Sequence, residues 1–164
     1  PYAEPIPGHP HVVAIIKNPE DKANFGGAWH SDTTYLEHPP GLTILYAVEV
    51  PAEGGDTLFA DMCAAYEALS PALRAWLDTL VGRNVSAMVH DAAGAHAAVT
   101  GESTRARPAA PSVAEHPVVR VHPLTGRAAL FLSRIHTERF VGMTREESLP
   151  MIGFLQDFAV RPER

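Results

Sequence analysis

The chain has 164 residues and carries thirteen Lys and Arg against nineteen Asp and Glu, a formal net charge of −6. That length can bury one core unaided, and the acidic balance argues against a phosphate backbone or an anionic membrane as the main partner. Cys63 is the only cysteine, which excludes an internal disulfide, and no apolar run approaches the roughly 20 residues that a membrane helix needs. A soluble domain in a reducing, cytoplasmic setting is expected, with a small molecule as its ligand and neither nucleic acid nor membrane as partner. Pro1 at one end and VRPER at the other carry no natural start or stop signal, so a single domain over 1–164, truncated at both ends, is expected.

In chain order, residues 11–16 (HVVAII) are short and β-branched enough for a strand, and NPEDKANFGG after them has turn composition. Residues 29–36 resume an extended pattern, which His38-Pro-Pro-Gly41 ends. Residues 43–50 (TILYAVEV) have the composition of a central strand, and Ala52-Glu-Gly-Gly55 that of a turn. Asp61 is placed to cap a helix through AAYEAL, with Cys63 in it as a small hydrophobe rather than a reactive thiol. Ser70-Pro71 restarts helical structure with a capping serine and a proline at the first helical position. Leu73, Trp76, Leu77 and Leu80 then recur at helical spacing, which predicts a core-facing helix over 71–82.

Residues 91–115 are dominated by Ala, Gly, Ser, Thr and Pro without a steady period, and are expected to form a mobile lid loop. Residues 116–122 (HPVVRVH) alternate, a turn follows at Pro123-Leu-Thr-Gly126, and residues 128–133 (AALFLS) return as the second arm of a hairpin. Thr144-Arg-Glu-Glu147 matches a capping box. It opens a helix with an apolar stripe of Leu149, Ile152, Leu155 and Phe158, although Pro150 falls in its second turn. Short strands joined by turns, with helical stretches between, predict a mainly β fold with flanking helices, a sandwich or jelly roll.

His30-Ser31-Asp32 is the first chemical candidate. On an extended segment residues i and i+2 share a face, so an imidazole and a carboxylate at this spacing can converge on one ion. The pair lies between Gly26-Gly27 and Pro39-Pro40, where the backbone is suited to close approach. Two imidazoles and one carboxylate on one face of iron(II) leave three positions open for a bidentate co-substrate and dioxygen. His30 and Asp32 supply two of these ligands. The competing reading of the motif is a surface histidine beside an aspartate.

The run GGAWHSDTTYLEHPPGLTILYAVEVPAEGGDTLFADMCAAYEALSP resembles the metal-binding half of the taurine dioxygenase (TauD/TfdA) family of Fe(II)- and 2-oxoglutarate-dependent dioxygenases, and HPVVRVHPLTGRAALFLSRIHTERFVGM is similar to a hairpin region further on in it. The resemblance implies an incomplete double-stranded β-helix, a jelly roll of the cupin kind. It also implies hydroxylation of a small organic substrate by O2, coupled to decarboxylation of 2-oxoglutarate to succinate and CO2. By motif position His30 and Asp32 would ligate Fe(II), Thr57 of the G-G-D-T run would hydrogen-bond a carboxylate of 2-oxoglutarate, and His136 would face the substrate. An ordinary strand-start threonine and a half-exposed histidine are the competing readings of the last two.

The family's second histidine ligand and its 2-oxoglutarate-binding arginine lie downstream of the helix that begins here near Thr144, and the sequence stops before both. The third ligand is therefore unidentified, and the chain alone is expected to be inactive. His90, His96, His116 and His122 are weak substitutes. Gly26 stands where an asparagine would be expected for sulfonate binding, and the HDAAGA region lacks the corresponding serine, so taurine is disfavoured. A carboxylate, sulfate ester, aryloxyalkanoate or amino-acid-like substrate stays open, as does homo-oligomerisation of a full-length parent. The alternative classes are a non-catalytic jelly-roll binding module and a metal-assisted hydrolase.

Overall fold

The structure, a computed structural model, describes residues 5–18, 20, 27–86 and 111–162. Two short helices come first. The Asp61 carboxylate accepts from the Cys63 and Ala64 amides at 2.9 Å, which starts α1 (Met62–Glu67). The Ser70 hydroxyl accepts from the Leu73 amide and Pro71 occupies the first turn, where its missing N–H costs nothing, to start α2 (Pro71–Leu77). Strands β1 (Val81–Val85), β2 (Val113–Pro117), β3 (Val119–Val121), β4 (Ala128–Leu130) and β5 (Thr137–Phe140) follow, and α3 (Arg145–Ala159) closes the order.

The first sheet is antiparallel in the order β2-β1-β5, with Val81 opposite Pro117 and Gly82 opposite Phe140. The second is the hairpin β3-β4, with Val119 opposite Leu130 and Val121 opposite Ala128. Gly126, at φ 70, supplies the left-handed conformation its turn requires. The His122 imidazole Nδ1 accepts from the Leu124 and Thr125 amides in the same turn.

The stretch 116–122, expected as one arm, divides at Val118. That residue is fully buried, donates to the Leu80 carbonyl and accepts from the Phe131 amide, and so carries the chain from one sheet to the other.

Core packing joins Ala65 and Leu69 at the α1 end, Leu77 of α2, Val118, Leu130 and Leu132, Phe140 of β5, and Ile152, Leu155 and Ala159 of α3. The Thr144 capping box is present in full, so α3 begins at Arg145 as the motif predicts. Its stripe faces the core through Ile152 and Leu155, with Leu149 and Phe158 half-buried at its margins. Pro150 sits inside the helix on the exposed side. Water can therefore satisfy the carbonyl that its missing N–H leaves without a partner.

Five further expectations need correction. Residues 11–16 form no strand, only an isolated bridge from Pro5 to Val13. Residues 43–50 form none either: Ile44 is 81% exposed and Val48 89%, and with no neighbouring strand among the described residues the run has no ladder for its backbone groups. Residues 29–36 are not extended throughout, because a turn runs from Asp32 to Tyr35. The helix expected over 71–82 ends at Leu77 with Asp78 as its cap, and Val81 opens β1. Leu73 and Leu80 still pack on the core from either side of that break, so the helical spacing reported burial and not helix length.

The loop expected over 91–115 does not reach its expected end. Residues 113–115 belong to β2, paired with β1, and residues 91–110 lie outside the described part. Two antiparallel sheets flanked by three helices are what the described residues show. Among them no helix is long and apolar enough to cross a membrane.

Candidate metal centre

The segment from Ala28 to Thr43 carries the candidate ligands, and three side chains from the folded body hold it. Gln156 of α3 donates its amide Nε2–H to the Trp29 carbonyl at 2.7 Å. His116 of β2 donates its Nε2–H to the Leu36 carbonyl at 2.9 Å. Tyr35, 3% exposed, packs its ring against the edge of His136, with centroids 4.9 Å apart. Between these anchors Thr33 adopts φ 49, a left-handed conformation that costs a β-branched residue about 1–3 kcal/mol and tends to occur where a segment must aim a side chain. The adjacent Thr34 is fully buried, and its hydroxyl, like that of Thr33, has no hydrogen-bond partner among the described residues.

On this segment His30 and Asp32 converge, with His30 Nε2 at 3.2 Å from Asp32 Oδ1. The other ring nitrogen, Nδ1, donates to the Ala28 carbonyl at 2.7 Å. In a neutral imidazole that bond fixes the tautomer and leaves a lone pair on Nε2, pointed at a carboxylate oxygen that also bears lone pairs. Two acceptors at this distance are favourable only with positive charge between them, either a proton on Nε2 or a metal cation.

Protonation behaviour follows the same logic. The hydrogen bond to Asp32 raises the His30 pKa against the opposing effect of burial. The bond from His30 holds Asp32 below the usual carboxylate range, with help from Thr43 and from the charge of His136. An Nδ1–H bound to a backbone carbonyl with Nε2 directed at the ion is the ordinary arrangement of a ligating histidine, so the donor set suits a divalent metal. Among the described residues no group of three or more His, Cys, Asp and Glu is arranged to hold one.

The remaining sequence candidates divide. His136 lies beside the pair, 8% exposed, against Tyr35 and within electrostatic reach of Asp32. Thr57 is exposed, and the hydroxyl that reaches Asp32 belongs to Thr43, at 3.0 Å. His116 and His122, considered above as substitute ligands, are occupied by the Leu36 carbonyl and by the hairpin turn. His90, His96, Gly26 and the HDAAGA region lie outside the described residues.

Three residues near the centre escaped the sequence reading: Tyr35, Thr43 and Gln156. Gln156 left a signal, because it occupies the core-facing phase of α3 with Ile152, Leu155 and Ala159, and a buried amide in an apolar stripe must have partners. Thr43 left a weaker one, as the polar first residue of an otherwise apolar run.

Beside the anchor, a shallow depression of about 190 Å³ is lined by Ala28, Trp29, Arg134, Ile135, Gln156, Asp157 and Val160. It is smaller than the roughly 300 Å³ at which ligand pockets begin.

Comparison with known proteins agrees with the motif. The chain is 36% identical over 148 residues to the (S)-phenoxypropionate/alpha-ketoglutarate-dioxygenase of Sphingobium herbicidovorans, covering 87% of this chain and 49% of that protein. It is 36% identical over 171 residues to the alpha-ketoglutarate-dependent sulfate ester dioxygenase of Pseudomonas putida, covering 98% of this chain and 55% of that protein. The crystal structure of a taurine dioxygenase from Burkholderia xenovorans superposes with a TM-score of 0.65 at 34% identity, over 96% of this chain and 48% of that one. The chain thus spans about half the length of these relatives. The family described as taurine catabolism dioxygenase TauD, TfdA matches residues 1–164, and the chain belongs to this family of 2-oxoglutarate-dependent dioxygenases.

Proposed function

We propose that this chain is the metal-binding portion of an Fe(II)- and 2-oxoglutarate-dependent dioxygenase with a double-stranded β-helix fold, which hydroxylates a small organic substrate and releases succinate and CO2. The observation that carries the reading is the convergence of His30 Nε2 and Asp32 Oδ1 to 3.2 Å with the Nδ1 proton already given to Ala28. Iron(II) held there would bring 2-oxoglutarate and O2 together and supply the oxidising chemistry. His30 and Asp32 are its proposed ligands. Thr57 is assigned to a carboxylate of 2-oxoglutarate, supported by its place in the G-G-D-T run. His136 is assigned to the substrate side, supported by its burial beside Tyr35 and its electrostatic reach to Asp32.

The third ligand and the arginine that pairs with 2-oxoglutarate are assigned to additional length of the kind the relatives possess. The exposed apolar side chains within residues 42–50 and at Leu58 and Phe59, with Tyr46 and Phe59 each 88% exposed, support this, since bare apolar surface on this scale normally marks an interface. By the same reasoning the 164-residue chain alone is inactive. The substrate proposed is a small organic acid or sulfate ester, in keeping with the two relatives named for a phenoxypropionate and a sulfate ester.

The test uses the protein extended to the length of its relatives. Oxygen-dependent succinate release is expected. His30→Ala and Asp32→Ala are each expected to abolish it with loss of iron, and Thr57→Ala to raise the 2-oxoglutarate requirement. Undiminished release in all three variants would end the assignment, and absence of metal-dependent 2-oxoglutarate binding in the extended protein would favour a non-catalytic jelly-roll module.

A further inference from the structure

The side chain of Gln156 connects two parts of the centre that lie far apart in sequence. Its Nε2–H donates to the Trp29 carbonyl at 2.7 Å, one residue before His30. Its Oε1 accepts the Arg134 backbone N–H at 2.5 Å, two residues before His136. Neither partner can exchange roles, because a carbonyl only accepts and an N–H only donates, so the amide has one orientation. Gln156 is 9% exposed and projects from the last third of α3, a helix anchored in the core by Ile152, Leu155 and Ala159.

Each arm continues to a side chain of the centre. On the first, Trp29 leads directly to His30, whose ring is oriented by Ala28 on the other side. On the second, Arg134 opens the turn 134–136, in which the His136 amide donates to the Ser133 carbonyl at 3.1 Å. The two arms meet again where Tyr35 lies against the His136 ring.

We infer that Gln156 is a positioning residue, a two-armed brace that fixes the His30 segment relative to the His136 turn and so sets the distance between the metal and the substrate side of the site. The inference rests on the proposed assignment of His30 as a ligand, but the brace itself is defined by hydrogen bonds and can be read without metal. A glutamine is suited to this task because one planar group carries both a donor and an acceptor. A carboxylate supplies only acceptors, and a thioether neither of the two at full strength.

That difference defines the experiment. In the 164-residue chain above the pKa of a glutamate, Gln156→Glu retains an acceptor for the Arg134 N–H and turns a second acceptor toward the Trp29 carbonyl. Gln156→Met removes both arms at nearly constant volume. Backbone amide order parameters are measured for Ala28–Asp32 and for Arg134–His136 in each variant, starting from values near 0.85 in rigid backbone.

With Gln156→Glu, the Ala28–Asp32 amides are expected to fall toward about 0.6 while Arg134–His136 stay rigid. With Gln156→Met both segments are expected to loosen. Cobalt(II) affinity, measured by titration, is expected to fall about tenfold in both variants, in the range that residues supporting a ligand produce. Equal loosening of both segments in Gln156→Glu would overturn the brace, since that is the outcome of general destabilisation. Unchanged order in Ala28–Asp32 would overturn it as well.

Asp32→Asn serves as the separate control on the metal reading. If cobalt(II) binds equally to wild type and Asp32→Asn, the ligand assignment fails, while the order parameters still decide the brace.

Discussion

Thr43 donates its hydroxyl to Asp32 Oδ2 at 3.0 Å, the carboxylate oxygen that does not face His30. The two oxygens of Asp32 are thereby given different tasks. Oδ2 is tied to a neighbouring segment, and Oδ1 is left toward His30 Nε2 for whatever cation lies between them. A carboxylate held by one oxygen cannot rotate freely to become bidentate.

Removing that hydroxyl tests the arrangement. In the protein extended to the length of its relatives, Thr43→Val is expected to weaken iron(II) binding about tenfold, at the lower end of the range for residues that orient a metal ligand. Thr43→Ser, which keeps the hydroxyl, is expected to restore it. Anaerobic iron titration measures both, and an unaltered affinity in the valine variant would show that Thr43 does not orient Asp32.

A second hydrogen-bond centre joins β1 to β5 within the first sheet, at the paired residues Asn84 and Thr137. The Thr137 hydroxyl donates to Asn84 Oδ1 at 2.8 Å and accepts the Ser133 amide at 2.9 Å, and all three residues are at most 1% exposed. Thr137→Val preserves the shape and leaves one buried acceptor and one buried donor without partners. With a cost of roughly 1–3 kcal/mol for each unsatisfied group, the variant is expected to lose about 2–6 kcal/mol of stability. Thr137→Ser is expected to lose less. Urea unfolding gives the answer, and a loss below about 0.5 kcal/mol, the usual size of a surface effect, would contradict the proposed network.

The start of α3 carries a pH-dependent contact. The Glu147 carboxylate accepts from the Thr144 amide at 2.8 Å and the Thr144 hydroxyl at 2.9 Å, and these bonds hold its pKa below the usual carboxylate range. Because the folded value is the lower one, the stabilisation is complete above the ordinary glutamate value of about 4.3. It is lost as pH falls through the depressed folded value. Glu147→Gln keeps an oxygen acceptor without the charge, so it is expected to melt slightly below wild type at neutral pH and to coincide with it in acid. Thermal midpoints followed from neutral pH to about pH 3 are the measurement, and a gap independent of pH would rule out the charge as its source.

Local rules were the legible part of this chain. The caps at Asp61, Ser70 and Thr144 were readable because a side-chain acceptor two or three residues before an apolar period satisfies amides that nothing else can reach. The β3-β4 hairpin was readable from its turn residues and alternation. In contrast, β1 was hidden in VGRNV, where Gly82 and Asn84 lower any strand expectation. It exists because β2 and β5 flank it on both sides, and because Asn84 finds a buried partner in Thr137. Residues 43–50 failed in the opposite direction: a strand composition was present, but none of the described residues pairs with it as a strand.

Sequence alone determined that an imidazole and a carboxylate stand two positions apart, and the W-H-x-D and G-G-D-T spacing determined the family to which they point. Tertiary structure alone decided that Thr43 fixes the carboxylate, that His136 and Tyr35 lie against the same segment, and that Gln156 spans 127 positions to hold the Trp29 carbonyl. The reason is physical: spacing along a chain fixes only which neighbours share a face. Contacts between distant residues depend on where α3 and the sheet bring the backbone, and that is set by burial of a core assembled from residues between Met62 and Ala159.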